Sequence, residues 1–396
     1  MSSQPFFHFI HPGFHPNQKY PCRQLYSSIK ASHKIDELTL SYGQSIEKEL
    51  TRFIAEHQNQ WMFLFVSYDA SSEWMGKVSA KSCPLAFPVL YICTANAVEV
   101  NKQEQFKFNN RNSPSIGRVK QCLSKEQYKT NFEKIQYHLQ RGDIYEMNYC
   151  IPFVAHAESM DDYEFWRMMV EKSPMPFSTY FQLNKQSVLS ASPERFIAGN
   201  TQQILSQPMK GTLGKKENIS DTEAMHTLKN NTKEQSENVM IVDLVRNDMS
   251  KIASKNSVNV PELFGVYSFP RVYQMISTVT ADLNKNTSMF DILKALFPMG
   301  SMTGAPKRKA MELIHEYEVF QRGPFSGAVG YIDPEGNFDF SVLIRSVFYD
   351  QQQLYFSAGS AITVQSQVDS EYNECLMKAS AIFDVINEYN ANAIHR

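Results

Sequence analysis

Lys210 lies in Ser206-Gln-Pro-Met-Lys-Gly-Thr212, between Met209 and the flexible Gly211. Pro208 fixes the backbone two residues ahead, so the amine leaves the chain in a set direction. A lysine becomes a nucleophile only when deprotonated, and its ordinary pKa is about 10.4. Burial beside Pro208 and Met209 predicts a lowered value and a free lone pair. The bland alternative is a solvated loop lysine next to a turn glycine. Glu194, in Ser192-Pro-Glu-Arg-Phe196, leaves the end of an apolar strand. Partial burial would raise its pKa and suit it to general acid work; otherwise it is a surface glutamate paired with Arg195.

Two further patterns supply carboxylates. Glu234 and Glu237 are three residues apart, as are Glu371 and Glu374, so each pair shares one face of its helix. Oxygen ligands from two helices suit Mg²⁺, leaving positions for water and a substrate carboxylate; taken alone, each pair is more often a solvated face. Between them, Gly300-Ser-Met-Thr-Gly-Ala-Pro-Lys307 carries two glycines and Thr303 ahead of Pro306. Pro306 suits the first turn of a helix running to about His315, and backbone N–H groups with Thr303 would form an anion site there. The loop lacks P-loop spacing, and an ordinary capping loop is the alternative. Arg345 reads as part of an apolar strand, Ser341 to Val347, where a guanidinium needs an anion. That anion is either a buried carboxylate of the protein or one on a substrate.

The elements that must position these groups follow from periodicity. Ser124 and Gln127 fit a capping box, Tyr128, Phe132, Ile135 and Leu139 recur at helical spacing, and Gly142 fits the helix end. Long helices are predicted over Lys233–Val245 and Asp369–Glu388. Strands are predicted over Trp61–Tyr68, Phe87–Cys93, Ile144–Ala155, Ser178–Leu183, Val188–Ala191, Val329–Ile332, Phe338–Val347 and Leu354–Ser357. Pro334 to Asn337 supplies a turn, and the Asn-rich stretch Gln103–Ser115 reads as a bridging loop. Strands in runs, mixed with helices, point to a large mixed α+β domain.

The 396 residues are long enough for a sizeable core, and the formal net charge of -2 argues against a partner held by phosphate contacts, so no nucleic acid is expected. No basic run suggests an anionic membrane surface, no apolar stretch would cross a bilayer, and the start does not read as a secretory signal. The 6 cysteines, Cys22, Cys83, Cys93, Cys122, Cys150 and Cys375, are scattered without a CxxC pair. Reduced thiols in a cytoplasmic protein are expected.

With these residues assembled, the chain resembles the chorismate-utilising enzymes, which include anthranilate, aminodeoxychorismate, isochorismate and salicylate synthases. The resemblance rests on GDIYEMN (142–148), SPERF (192–196), PMKGT (208–212), ENVMIVDLVRND (237–248), GSMTGAPK (300–307), IR (344–345) and EYNE (371–374), in the family's order. It implies the family's fold of β-sheets packed together with surrounding helices, with a catalytic region over 120–396 and a weakly matched N-terminal part over 1–115. Anthranilate synthases typically carry alanine where Lys210 stands, whereas the aminodeoxychorismate branch carries lysine. The resemblance therefore implies amination of chorismate at ring carbon 4, through addition of Lys210 to carbon 2, with Glu194 protonating the departing hydroxyl. It implies Mg²⁺ held by Glu237 and Glu374, supported by Glu234 and Glu371, on the ring carboxylate. Arg345 and the backbone near Gly359 would take the other carboxylate, with Thr212, Thr303 and Gly304 also lining the substrate.

Departures are also visible. The family's usual Gln is Glu146 here, at a position where isochorismate-type relatives carry a base lysine; AGGGI is Ala358-Gly-Ser-Ala-Ile362; a common histidine is Gln274; and the Thr that usually follows the last Glu is Cys375. No LLES-type motif is present, and no amidotransferase signature, so ammonia is expected from solution or from a separate glutaminase subunit. Anthranilate synthase and a non-catalytic chorismate-binding protein are the alternatives.

Overall fold

The computed structural model describes residues 5–11, 27–75, 81–102, 115–215, 219–269 and 272–394. Among the described residues the chain forms two sheets of ten strands each, nine in line and one paired off the line, with helices outside them. Along the first, the strands run Gly304–Ala305, Glu146–His156, Gln353–Thr363, Ser346–Tyr349, Gln186–Ser192, Phe177–Leu183, Phe7–His11, Ser27–Ala31 and Val98–Lys102. Along the second they run Met209–Gly214, Val272–Asp282, Gln203–Ser206, Arg195–Gly199, Phe338–Val342, Ala328–Ile332, Trp61–Val66, Leu90–Ala95 and Lys34–Leu40. This is the large α+β architecture expected. The strands before residue 103 build the far end of both sheets, while the strands that carry Lys210 and Glu146 build the opposite end.

Two cores hold the layers together. Between the sheets, Phe7, Phe9 and Phe181 of one meet Phe63, Phe65 and Phe340 of the other, all fully buried. The Phe7 and Phe63 rings lie 4.3 Å apart, within the range of favourable aromatic contact. On the outer face of the first sheet, helices Lys125–Gln140, Asp162–Lys172, Lys307–Tyr317 and Val368–Ile394 pack through residues including Phe132, Trp166, Leu313 and Ile382. The capping box at Ser124 forms as expected, and Tyr128, Phe132, Ile135 and Leu139 are the buried face of that helix.

The strand expected over Phe338–Val347 is divided. Phe338–Val342 pairs with Arg195–Gly199 in the second sheet, whereas Ser346–Tyr349 pairs with Gln186–Ser192 in the first. The neighbouring chain does the same in reverse at Pro193 and Glu194. Two antiparallel segments thus cross between sheets side by side, tied by Val342 N–H to Glu194 O (3.1 Å) and Ala191 N–H to Arg345 O (3.1 Å). Arg345 has φ +49°, a left-handed conformation that turns the chain at the crossing. An unbroken apolar run hid this, because periodicity does not register a change of partner sheet.

Smaller differences have local causes. The strand expected from Phe87 starts at Leu90, and Pro306 stands at the N-cap of Lys307–Tyr317 rather than in its first turn. Of the expected bridging loop, residues 103–114 lie outside the described residues. The five described cysteines are free, and Cys22 also lies outside. Among the described residues no helix is long and apolar enough to cross a membrane.

Candidate active site

Lys210 sits on the edge strand of the second sheet. Met209 pairs with Ile276 and Thr212 with Gln274, so three steps on one strand face two on the other. This bulge, with Gly211 at φ +91°, turns the Lys210 side chain out of the regular alternation. A side chain on Gly211 would also press on Glu234, whose Oε2 lies 3.1 Å from an added Cβ. The amine donates to Glu146 Oε1 at 2.7 Å. Glu146 opens the strand Glu146–His156, near the corresponding edge of the first sheet, and is fully buried. The ion pair therefore bridges the two sheets at their catalytic end.

The expected lowering of the Lys210 pKa is not found. Burial pulls it down, but the fields of Glu146, Glu237 and Glu374 outweigh that and raise it above its ordinary value. Pro208 and Met209 are the near neighbours in sequence; the carboxylates come from distant elements. Lys210 is an ammonium in this state.

Glu194 is buried, and burial raises its carboxyl to about 7, against the opposing effects of Ser301, Lys210 and the Met209 N–H. The Ser301 hydroxyl donates to its Oε1 at 2.7 Å. Arg195 does not pair with it. Instead Arg195 makes a bidentate pair with Asp339 (Nε 2.9 Å, Nη2 2.7 Å) and donates to Gln207. That leaves the Glu194 carboxyl facing the Lys210 side of the crossing, protonated near neutrality.

Arg345 is held at the same crossing. Its guanidinium meets the Met175 sulfur at 3.9 Å, and among the described residues no carboxylate forms an ion pair with it. Burial lowers its pKa. A desolvated guanidinium lacking an internal anion is poised for one from outside.

The remaining residues are placed less openly. Thr303 is fully buried and donates to the Met299 and Gly300 carbonyls (3.1 and 3.3 Å), within a helical turn Gly300–Thr303. Gly304, at φ +139°, lies against the Glu146 carbonyl so closely that an added Cβ would stand 2.1 Å from it. Gly359 pairs with Cys150, and its carbonyl accepts from Lys378 at 3.0 Å. Thr212 is exposed and donates to Gln274 at 3.0 Å.

The carboxylate pairs stand on helices Thr232–Ser250 and Val368–Ile394. Burial raises Glu234 and Glu237 from their ordinary values. Burial also acts to raise Glu374, but Lys378, 2.7 Å away, outweighs it and holds that carboxyl low. Lys233 approaches Glu237 at 3.8 Å, and Glu371 is buried. Among the described residues no three of His, Cys, Asp and Glu converge as a metal-holding group. The donor chemistry nevertheless suits Mg²⁺: all-oxygen ligands, two of them desolvated carboxylates whose charge a cation would offset.

Against known proteins, residues 15–384 match the chorismate binding enzyme family. The chain belongs to that family. Chorismate binding enzymes similar to it include aminodeoxychorismate synthase component 1 of Escherichia coli (strain K12), 40% identical over 261 residues, 66% of this chain and 57% of that protein. The protein of the same name from Klebsiella aerogenes is 36% identical over 335 residues, 83% of this chain and 67% of that protein. The match thus spans little more than half the length of the first of these relatives. Anthranilate synthase component I from Streptococcus pneumoniae TIGR4 has the same fold, with a TM-score of 0.78 at 23% identity over 92% of this chain and 93% of that one.

Sequence reasoning singled out Lys210, Glu194 and Arg345; the fold sets Glu194 and Arg345 at the crossing between the sheets and brings Lys210, from the edge strand, within the field of Glu194. It left Glu146 without a role and overlooked Ser301. Glu146 was visible as a departure from the family's usual Gln; Ser301 lies inside a motif read for its glycines.

Proposed function

We propose that the chain aminates chorismate at ring carbon 4, yielding 4-amino-4-deoxychorismate for 4-aminobenzoate and folate synthesis. One observation carries this reading most directly: an amine, Lys210, is delivered to the catalytic end of the sheets beside an acid, Glu194, that keeps its proton near pH 7. Water as nucleophile would need a free base at this position, and the side chain there is already bound to Lys210.

The steps follow from the placements. Arg345 binds one substrate carboxylate, since it is a largely desolvated cation with no ion-pair partner among the described residues. The Lys210 amine adds to carbon 2 as the carbon 4 hydroxyl leaves, and Glu194 gives that hydroxyl its proton, releasing water. Ammonia then attacks carbon 4 and expels the lysine amine from carbon 2. Mg²⁺, when bound, would neutralise the ring carboxylate, with Glu237 and Glu374 holding it and Glu234 and Glu371 in support. Ammonia would come from a separate glutaminase subunit, and from ammonium salts when the chain is assayed alone.

Product mass analysis after incubation with chorismate, Mg²⁺ and ammonium tests the reading. Aminodeoxychorismate is expected. A purely anthranilate product would assign the other branch, and no turnover would favour a binding protein. Lys210→Ala is expected to lower the rate on the order of a thousandfold or more, as loss of a nucleophile does. Rapid quenching followed by intact-mass measurement should show a substrate-minus-water adduct on the wild type alone.

A further inference from the structure

We propose that Glu146 is the proton acceptor that frees the Lys210 lone pair; this rests on the covalent role of Lys210 proposed above. Glu146 Oε1 lies 2.7 Å from Nζ, and among the described residues it alone forms an ion pair with Lys210. The carboxylate is fully buried, and its other oxygen, Oε2, has no hydrogen-bond partner among the described residues. A buried ion pair is costly when its lone pairs are left unmet. Moving the proton from Nζ to the carboxylate turns two buried charges into a neutral amine and a neutral acid, which reduces that cost. The backbone holds Glu146 for this: its strand pairs with Thr363 on one side and Ala305 on the other. Gly304, where an added side chain would strike the Glu146 carbonyl, lets the second partner approach.

Every other charged group facing Lys210 acts at longer range. Glu237 and Glu234 face it from the helix Thr232–Ser250, with Lys233 beside them. Glu374 and its partner Lys378 face it from Val368–Ile394, and Glu194 from the sheet crossing. These carboxylates favour the ammonium but do not touch its protons. Glu146 does.

The proton balance closes over a cycle. Lys210 ammonium gives one proton to Glu146, and the amine forms its bond to carbon 2, becoming a secondary ammonium. The carbon 4 hydroxyl leaves with the Glu194 proton as water. Ammonia bonds to carbon 4 as the carbon 2–nitrogen bond breaks, leaving an alkylammonium on the product and a neutral Lys210 amine. Glu146 returns its proton to that amine, and Glu194 regains one from the product ammonium.

Because the proton moves within the pair, adduct formation in the wild type is expected to be flat between pH 5.5 and 7. In Glu146→Gln, Lys210 must lose its proton to solvent. The rate is then expected to fall about a hundredfold at pH 6 and to rise tenfold per pH unit. Glu146→Asp should restore the flat profile in part, and chorismate affinity should stay within about threefold in both variants. A flat profile at wild-type rate in Glu146→Gln would overturn the proposal. Acetylation of Lys210 by acetic anhydride, read by peptide mass without chorismate, must show the same change of slope in Glu146→Gln. If the wild type forms no adduct, the covalent reading fails; the acetylation profile still decides separately whether Glu146 accepts the lysine proton, and an unchanged slope there rejects it.

Discussion

Burial holds a proton on the Glu194 carboxyl up to about pH 7, although Ser301 and Lys210 both favour the charged form. An acid in this range can release a proton to a leaving hydroxyl and recover it at neutral pH. The sign follows from the raised value: the acid form is full below about 7 and is lost as pH rises through it. With chorismate and ammonia concentrations held constant, kcat/KM is expected to fall tenfold per unit above that point. Glu194→Gln should abolish this limb and lower the rate by about 10²–10⁴. A pH profile of both proteins checks it, and an unchanged alkaline limb in the variant would assign that limb to another group. Lys210 obeys the same physics with the opposite result. Its carboxylate neighbours outnumber the effect of burial, so its resting state is charged.

At the scale of elements, the double crossing between sheets is what brings Glu194 and Arg345 together. Arg195 and Asp339 sit on the two strands immediately beyond it, 3% and 0% exposed, and clamp them by two charge-assisted hydrogen bonds. Gln207, held by Arg195 at 2.8 Å and by Thr278 at 3.2 Å, extends the clamp to the segment leading into Lys210. Asp339→Ala would remove the carboxylate that offsets a buried guanidinium. Such losses cost about 3–5 kcal/mol, and urea denaturation should register that decrease. The activity of whatever folded fraction remains should also fall, because the Glu194 crossing loses its anchor. A decrease below about 1 kcal/mol would show that the crossing is held by its backbone pairing alone.

For the whole molecule, the contact between sheets decides whether Lys210 and Glu146 meet at all, since each stands near the edge of a different sheet. That contact is apolar and continuous, from the catalytic end to the strands contributed by the first hundred or so residues. Phe63 lies in its N-terminal half, fully buried and packed on Phe7 and Phe6 across the gap. Phe63→Ala is expected to cost about 3–5 kcal/mol through the cavity it leaves, read as a lower denaturation midpoint. Stability unchanged within about 1 kcal/mol would mean that the sheets close over the cavity.

The sequence by itself determined what depends on near neighbours. The Ser124 capping box, the helix over Lys125–Gln140, the two Glu-x-x-Glu faces and most strands arise from residue types at short spacing, where the backbone's own periodicity records them. Lys210, Glu194 and Arg345 stood out as candidates for the same reason: an amine, a carboxyl and a guanidinium beside apolar runs. Tertiary structure alone decided their states. The charge on Lys210 depends on Glu146, 64 positions away, and on Glu237 and Glu374 of two separate helices. Arg195 takes Asp339 rather than the adjacent Glu194 because strand pairing brings that aspartate alongside on the neighbouring strand, two residues from Ser341, which stands opposite Arg195. The division of Phe338–Val347 between two sheets is likewise invisible locally, since both halves are apolar and only their partners differ. Electrostatic fields and strand partners act through space, and folding brings together what chain order keeps apart.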